Sequence, residues 1–218
     1  GLASLSLAKN LINKKINVHI YKQKKINNFS SNRTIGIAKN NLEFFKNEIL
    51  RFSKKDIWEI KKIEIYSEKQ KNKKLLEFQN EKNDLFYMIK NQKLYEFLNN
   101  KLSKSKFFKK IIITQENFYD KLLKKNNYDL IINCDQNNFI TKKYFIKKID
   151  KDYKNLAYTT IIEHNKLKNN SAIQIFTDLG PIAFLPISNI KTSVVCSLDI
   201  KNKKYNDKEI LYLIKKHN

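Results

Sequence analysis

Gly1-Leu-Ala-Ser4-Leu-Ser-Leu-Ala8-Lys-Asn-Leu-Ile12-Asn-Lys-Lys-Ile16-Asn-Val18-His-Ile20-Tyr-Lys22 decides how the rest of the chain is read. Leu5, Ala8, Leu11 and Ile12 recur at helical spacing, and at Ile16, Val18 and Ile20 the pattern changes to alternation. A helix that feeds a short strand is half of a βαβ unit. Gly1 and Ser4 stand where the second and third small residues of a G-x-G-x-x-G turn would stand, so a strand and a further glycine are expected ahead of Gly1. Such a turn lets backbone approach a pyrophosphate, and the helix N-terminus offers unpaired N–H groups at the positive end of its dipole. The third position asks only for a small side chain, which Ser4 provides. An acid at the end of the second strand would bond the ribose hydroxyls, but Lys22 holds that place and can only donate. Taken alone, a glycine ahead of a helix also suits plain packing, and both readings stand.

Working outward, the 218 residues are enough to bury a core in one large or two small domains. A formal charge of +23 would ordinarily suggest nucleic acid or an anionic membrane. Arg33 and Arg51 are the only arginines, however, and arginine is the residue suited to bidentate phosphate and base contacts. The lysines are spread through the chain in company with Asn and Ile, a compositional drift more than a basic patch. Specific nucleic-acid binding is therefore not expected; salt-sensitive attraction to polyanions is. Cys134 and Cys196 are too few and too distant for a disulfide framework or a metal site, so a reducing cytoplasm fits. No run reaches the roughly 18 apolar residues of a membrane span. His19, His164 and His217 are scattered, and His19, inside a strand pattern, reads as a satisfied or solvent-facing side chain.

Beyond Lys22 a polar connection leads to Arg33 and the short apolar run Thr34-Ile-Gly36-Ile-Ala38. Leu42, Phe45, Ile49 and Leu50 predict a helix over 40–52. Trp58, Ile60, Ile63 and Ile65, then Leu75–Phe78 and Leu85–Ile89, predict an inserted antiparallel sheet. Leu94, Phe97, Leu98 and Leu102 mark a helix over 91–102, and Lys110–Thr114 a compact strand. Asp129-Leu-Ile-Ile-Asn-Cys-Asp135 reads as a parallel strand covered on both faces. Long β-type runs follow at 158–163, 172–177, 182–185 and 193–197, with a closing amphipathic helix over about 207–216. The alternation predicts a mixed α/β (α+β) chain of two interleaved domains. The boundaries are 1–56 and 91–150 for a nucleotide-binding part, and 57–90 and 151–218 for a sheet part.

Five blocks, in order, resemble the ubiquinone-biosynthesis (UbiH-type) hydroxylases among the FAD-dependent aromatic monooxygenases. They are Gly1 through Tyr21; Asn32-Arg33-Thr34-Ile35-Gly36-Ile37; Tyr87 through Leu98; Asp129 through Asn138, similar to "D-L-V-I-x-A-D-G-x-x-S"; and Gln174 through Pro186, similar to "F-T-x-x-G-P-x-A-x-L-P". The last is the most specific, because Gly and Pro are otherwise rare in this chain.

The resemblance implies a Rossmann-like FAD-binding domain interleaved with an antiparallel-sheet substrate domain, truncated at both ends. It implies an enzyme in which FAD, reduced by NAD(P)H, activates O2 to hydroxylate a polyprenyl phenol or quinol, a ubiquinone precursor. By residue it places Gly1 and Ser4 along the pyrophosphate, Arg33 on FAD phosphate or ribose, and Asn91 or Gln92 on the flavin or its chain. Asp135 falls beside the cofactor, and the Gly180-Pro181 backbone near the ring and substrate. The alternative readings are a solvated Arg33, a helix cap at Asn91 and a simple turn at Gly180-Pro181.

Three departures are expected to weaken FAD binding by this chain. Lys22 replaces an acid, Gln136 replaces a glycine after Asp135, and no "G-D-A-A-H" box occurs before Asn218. They also motivate a second hypothesis, a non-catalytic relative serving as a partner within a quinone-biosynthesis assembly. The lysine excess permits peripheral contact with anionic lipid on the inner membrane. Exposed strand edges around a missing first strand predict aggregation.

Overall fold

The computed structural model describes residues 1–23, 33–70, 73–80, 84–113, 118–124, 127–145, 147, 149–201 and 204–217. Most of the polar connection after Lys22, with Asn32 of the second family-like block, lies outside them, as do Thr114 and Asn218. The helices are α1 (Leu2–Asn13), α2 (Lys39–Phe44), α3 (Asn91–Ser103), α4 (Phe118–Lys124), α5 (Phe139–Tyr144) and α6 (Asp207–His217). The strands are β1 (Val18–Gln23), β2 (Thr34–Ala38), β3 (Trp58–Ile60), β4 (Lys62–Ser67), β5 (Lys73–Gln79) and β6 (Phe86–Lys90). They continue with β7 (Phe108–Ile113), β8 (Asn155–Glu163), β9 (Ser171–Thr177), β10 (Gly180–Ser188) and β11 (Lys191–Asp199). The chain divides into two compact units, each built from separated segments.

The first unit comprises Gly1–Phe29, Glu48–Leu50 and Leu94–Lys151. Within it α1 buries Leu5, Ala8 and Ile12, the stripe that helical spacing predicts. The helix ends where Lys15 turns left-handed at φ 62°, with Lys15 N donating to Ile12 O and Ile16 N to Leu11 O. That turn leaves Ile16 exposed, so the strand begins two residues later than the alternation suggests. β1 then runs parallel to β7, from Val18 opposite Phe108 to Gln23 opposite Ile113. Leu94, Leu98 and Leu102 form the buried stripe of α3, and Ile113, Tyr119 and Ile140 a second small cluster.

One expectation fails in this unit. Asp129–Asp135 is not a strand; it pairs with no described strand, and Leu130, Ile131 and Ile132 are exposed. An apolar run shows which side chains gain from burial, but a strand also needs neighbours for its N–H and C=O groups. β1 pairs only with β7 among the described strands, and the Asp129 run joins neither.

The second unit comprises Ser30–Asn47, Arg51–Lys93 and Asp152–Asn218. Its main sheet has the order β5-β4-β9-β10-β11-β8, with every pair antiparallel except β4 and β9. Side chains alternate across it. One face presents Ile175, Ile182, Phe184, Val194, Cys196 and Leu198 to Ile210, Leu213 and Ile214 of α6. Ile182, Val194 and Leu198 are fully buried there, each contributing about 1.5–3 kcal/mol of apolar transfer. The other face sets Ala172 and Leu185 against Ile60 and Met88 of a three-stranded sheet ordered β2-β6-β3.

The strands between 57 and 90 are therefore shared between two sheets. β3 and β6 join β2, whereas β4 and β5 extend the main sheet. Lys61 makes the crossing, its N–H bonded to Asn170 O at 2.9 Å. The helix expected over 40–52 is α2 followed by a π-helical turn at Phe45–Ile49.

Candidate functional site

The first unit holds a cleft of about 470 Å³. Its walls are the N-terminal end of α1 (Gly1, Ser4, Leu5), residues His19 to Lys22 of β1, Lys110 of β7 and the extended run Leu130–Asp135. Tyr119, Tyr128 and Asn138 complete the lining that matters chemically.

Ser4 Oγ accepts from Gly1 N at 3.5 Å, and the first turn of α1 carries no acid. Free N–H groups at a positive dipole end, with Lys22 and Lys110 on the walls, make an anion-binding donor set. On the Leu130–Asp135 wall, Asn133 Nδ2 donates to Thr141 Oγ1 at 2.7 Å, and the Asn133 and Asn138 side-chain amides donate to each other's oxygens. Asn138 Oδ1 accepts from Thr141 N and so caps α5. Asp135 accepts from Asn137 N at 3.0 Å, and its backbone oxygen from Thr141 Oγ1. The carboxylate is exposed at the cleft wall, where it can accept from ligand hydroxyls.

This turn answers one sequence doubt. Gln136 is not among the residues with positive φ, so the turn after Asp135 needs no glycine. The asparagine bonds hold it instead.

A short polar chain crosses the cleft. Tyr128 Oη lies 2.6 Å from His19 Nδ1 and also bonds Tyr21 Oη. Burial, together with the Tyr128 bond, pushes the Tyr21 hydroxyl up to about 12. His19 is thus a satisfied histidine. Tyr21, Tyr128, Lys110 and Asn133 were not singled out from sequence; the only signal for Tyr128 is its position just ahead of the Asp129 run.

The residues predicted from sequence fall into three groups. Gly1, Ser4 and Asp135 come together at the cleft. Arg33 and Asn91 are neighbours in the second unit, where Asn91 N donates to Arg33 O at 3.0 Å and extends the β2–β6 ladder by one rung. Arg33 is exposed, Asn91 half-buried and Gln92 exposed at the start of α3. Gly180 and Pro181 open β10, away from that pair: Thr34 Oγ1 bonds Ser193 Oγ, and Ser193 pairs with Leu185 further along β10.

Gly180 has a packing reason of its own. Its φ is +129°, and a Cβ there would sit 2.0 Å from Ser197 O. Thr177 Oγ1 donates to Gly180 O at 2.6 Å and closes the hairpin. Elsewhere, the Cys196 thiol is pushed up to about 11 by burial, and no group of metal-ligating side chains occurs among the described residues. No described helix is long and apolar enough to cross a membrane.

Compared by sequence, the chain matches no family profile and no curated protein. Its fold does match solved structures. PqsL, a probable FAD-dependent monooxygenase from Pseudomonas aeruginosa, superposes with a TM-score of 0.68 at 11% identity, over 91% of this chain and 58% of that one. The tetrameric form of 2-methyl-3-hydroxypyridine-5-carboxylic acid oxygenase gives 0.67 at 10% identity, over 99% and 62%. The peptidyl tryptophan dihydroxylase QhpG gives 0.57 at 7%, over 99% and 48%. This chain spans about three fifths of the first two proteins. Its mixed α/β fold is similar to the folds of these solved structures.

Proposed function

We propose that this chain is part of an FAD-dependent aromatic monooxygenase, and that its cleft receives the ADP portion of FAD. The observation that carries this reading is the acid-free first turn of α1 on the wall of a cleft with two lysines and a carboxylate, in a fold similar to that of a probable FAD-dependent monooxygenase. The backbone N–H groups after Gly1 hold the diphosphate, and Ser4 keeps the approach open. Lys110 neutralises its charge, and Lys22 stands at the ribose. Asp135 accepts from cofactor hydroxyls. Bound FAD, reduced by NAD(P)H, would supply the O2 chemistry.

Resemblance alone supports the remaining assignments. Arg33, Asn91 and Gln92 are further donors to the cofactor, Gly180 and Pro181 backbone near ring and substrate. A polyprenylated phenol or quinol on the route to ubiquinone is the substrate, reached by peripheral contact with an anionic membrane.

A second reading, a non-catalytic partner in a quinone-biosynthesis assembly, draws on Lys22 at the position of the ribose-binding acid. Gln136 no longer favours it, given the backbone of its turn. Calorimetric titration of the chain with FAD and with ADP separates the two. Saturable binding of both, weakened at least tenfold by Gly1→Val, supports the monooxygenase reading. No binding of either ligand at millimolar concentration sinks it and leaves the partner role.

A further inference from the structure

The Leu130–Asp135 wall stands beside β1 without a ladder: it pairs with no described strand, and Leu130, Ile131 and Ile132 lie exposed along the cleft. An extended segment without rungs depends on side chains at its ends to keep its place. The far end is tied through Asn133 to Asn138 and to Thr141 of α5, and Ile140 of α5 packs with Ile113 of β7 and Tyr119 of α4. The near end is tied through Tyr128.

His19 and Tyr21 stand two apart on β1 and share a face, and one hydroxyl meets both. Tyr128 Oη lies 2.6 Å from His19 Nδ1 and also bonds Tyr21 Oη. A hydroxyl donates once and can accept besides, so the series Tyr21–Tyr128–His19 is satisfied in either direction. The rings meet edge-on, with centroids 5.5 Å apart for Tyr128 and His19 and 6.1 Å for Tyr128 and Tyr21. Tyr21 in turn lies 5.0 Å from the Phe118 ring, and both pack against the cluster of Ile113, Tyr119 and Ile140. The two ends of the wall are thus anchored on one small core.

We propose that Tyr128 is a positioning residue of the cleft: its hydroxyl, shared between His19 and Tyr21, holds the start of the Leu130–Asp135 wall beside β1, where no backbone ladder does. The proposal rests on the nucleotide reading of the cleft in one respect, that the wall so held presents Asp135 to the ligand.

Tyr128→Phe keeps the ring and removes the hydroxyl. Backbone amide relaxation measured by NMR without ligand is expected to show larger motion over Leu130–Asp135 in this variant and none added in β9 to β11. Affinity for ADP is expected to fall about three- to tenfold. His19→Leu acts in the same direction, and His19→Asn, which keeps an acceptor where Nδ1 stood, recovers most of that loss. Once His19→Leu and Tyr21→Phe have removed both partners, adding Tyr128→Phe should change ADP affinity by less than about twofold. Tyr21, whose hydroxyl is pushed up to about 12 by burial first and the Tyr128 bond second, should titrate earlier in Tyr128→Phe, read by tyrosine ring-carbon NMR. Circular dichroism melts confirm that each variant is folded. An unchanged wall in Tyr128→Phe overturns the proposal, as does a full loss of affinity on top of the double variant. A wall that loosens without any change in ADP affinity also overturns it, leaving Tyr128 a purely structural contact. If the unaltered chain binds no ADP, the nucleotide reading falls instead, and the relaxation and titration results alone decide whether Tyr128 holds the wall.

Discussion

The main sheet and the β1–β7 sheet make opposite use of similar residues. In the second unit, β10 has a partner on each side, and its apolar residues alternate cleanly into two cores; Ile182 and Val194 are shut away from water. In the first unit, β1 and β7 pair only with each other among the described strands, and Leu130–Ile132, as apolar as any strand in the main sheet, lies exposed on a cleft wall. Backbone pairing decides the difference. Where the ladder is complete, alternation turns directly into burial. Where it is not, apolar side chains stay exposed along the cleft wall. The main sheet is the packed scaffold, and the sheet around β1 borders the proposed FAD cleft.

Breaking the scaffold gives the largest expected effect. Gly180→Ala forces a left-handed φ on a residue with a Cβ and drives that atom into Ser197 O, so β10 and β11 must separate. A loss of about 3–4 kcal/mol is expected in denaturant unfolding. Ala183, half-buried on the same strand, serves as the control: Ala183→Gly should cost roughly 1 kcal/mol. Equal losses for the two would remove the argument that position 180 is fixed by packing.

The next effect falls in the first unit. Asn138→Ala removes the cap of α5 and the amide partner of Asn133, and a loss of about 1–2 kcal/mol is expected there. Asn138→Ser keeps a capping oxygen and should recover about half. Amide hydrogen exchange, read separately over α5 and β10, checks both variants. Exchange at β10 is expected to stay unchanged in Asn138→Ala; faster exchange there would show that the loss reaches beyond the first unit.

Much of this architecture is legible in the sequence, and the reasons differ by element. The stripes of α1, α3 and α6 and the alternation of β9 to β11 survive because each is decided within one element and its immediate partner. The fate of Asp129–Asp135 was not legible, because pairing is a property of neighbours and not of the run itself. Nor was the sharing of β3 and β4 between two sheets, where a single residue, Lys61, makes the switch. At the cleft, Gly1 and Ser4 were legible from spacing, and Asp135 only through the family resemblance. Tyr21 and Tyr128 could not, since only the fold brings them together.

A smaller change sharpens the ligand side of the comparison. Lys22→Glu gives the end of β1 an acceptor for ribose hydroxyls while Lys110 keeps a positive charge in the cleft. ADP and FAD should bind about three- to tenfold more tightly, an effect of roughly 1 kcal/mol, with thermal stability unchanged. Weaker binding by this variant would mean that Lys22 serves the diphosphate and that the ribose lies elsewhere.

The smallest effect compares the units through two tyrosines. Burial first, then a hydroxyl partner, pushes Tyr21 up to about 12; burial first, then the bond to Asp84 at 3.0 Å, does the same for Tyr87. Each folded unit holds a phenol proton more tightly than the unfolded chain, whose tyrosines titrate near 10. The resulting stabilisation is complete below about pH 10 and is lost as pH rises from 10 toward 12. Tyr21→Phe should flatten this alkaline decline for the first unit alone, and Tyr87→Phe for the second alone, read by hydrogen exchange at several alkaline pH values. Ultraviolet phenolate titration should lose one late-titrating tyrosine in each variant. If Tyr21→Phe instead flattened the decline at β10, the two units would share one alkaline transition, and the division between scaffold and binding sheet would fail.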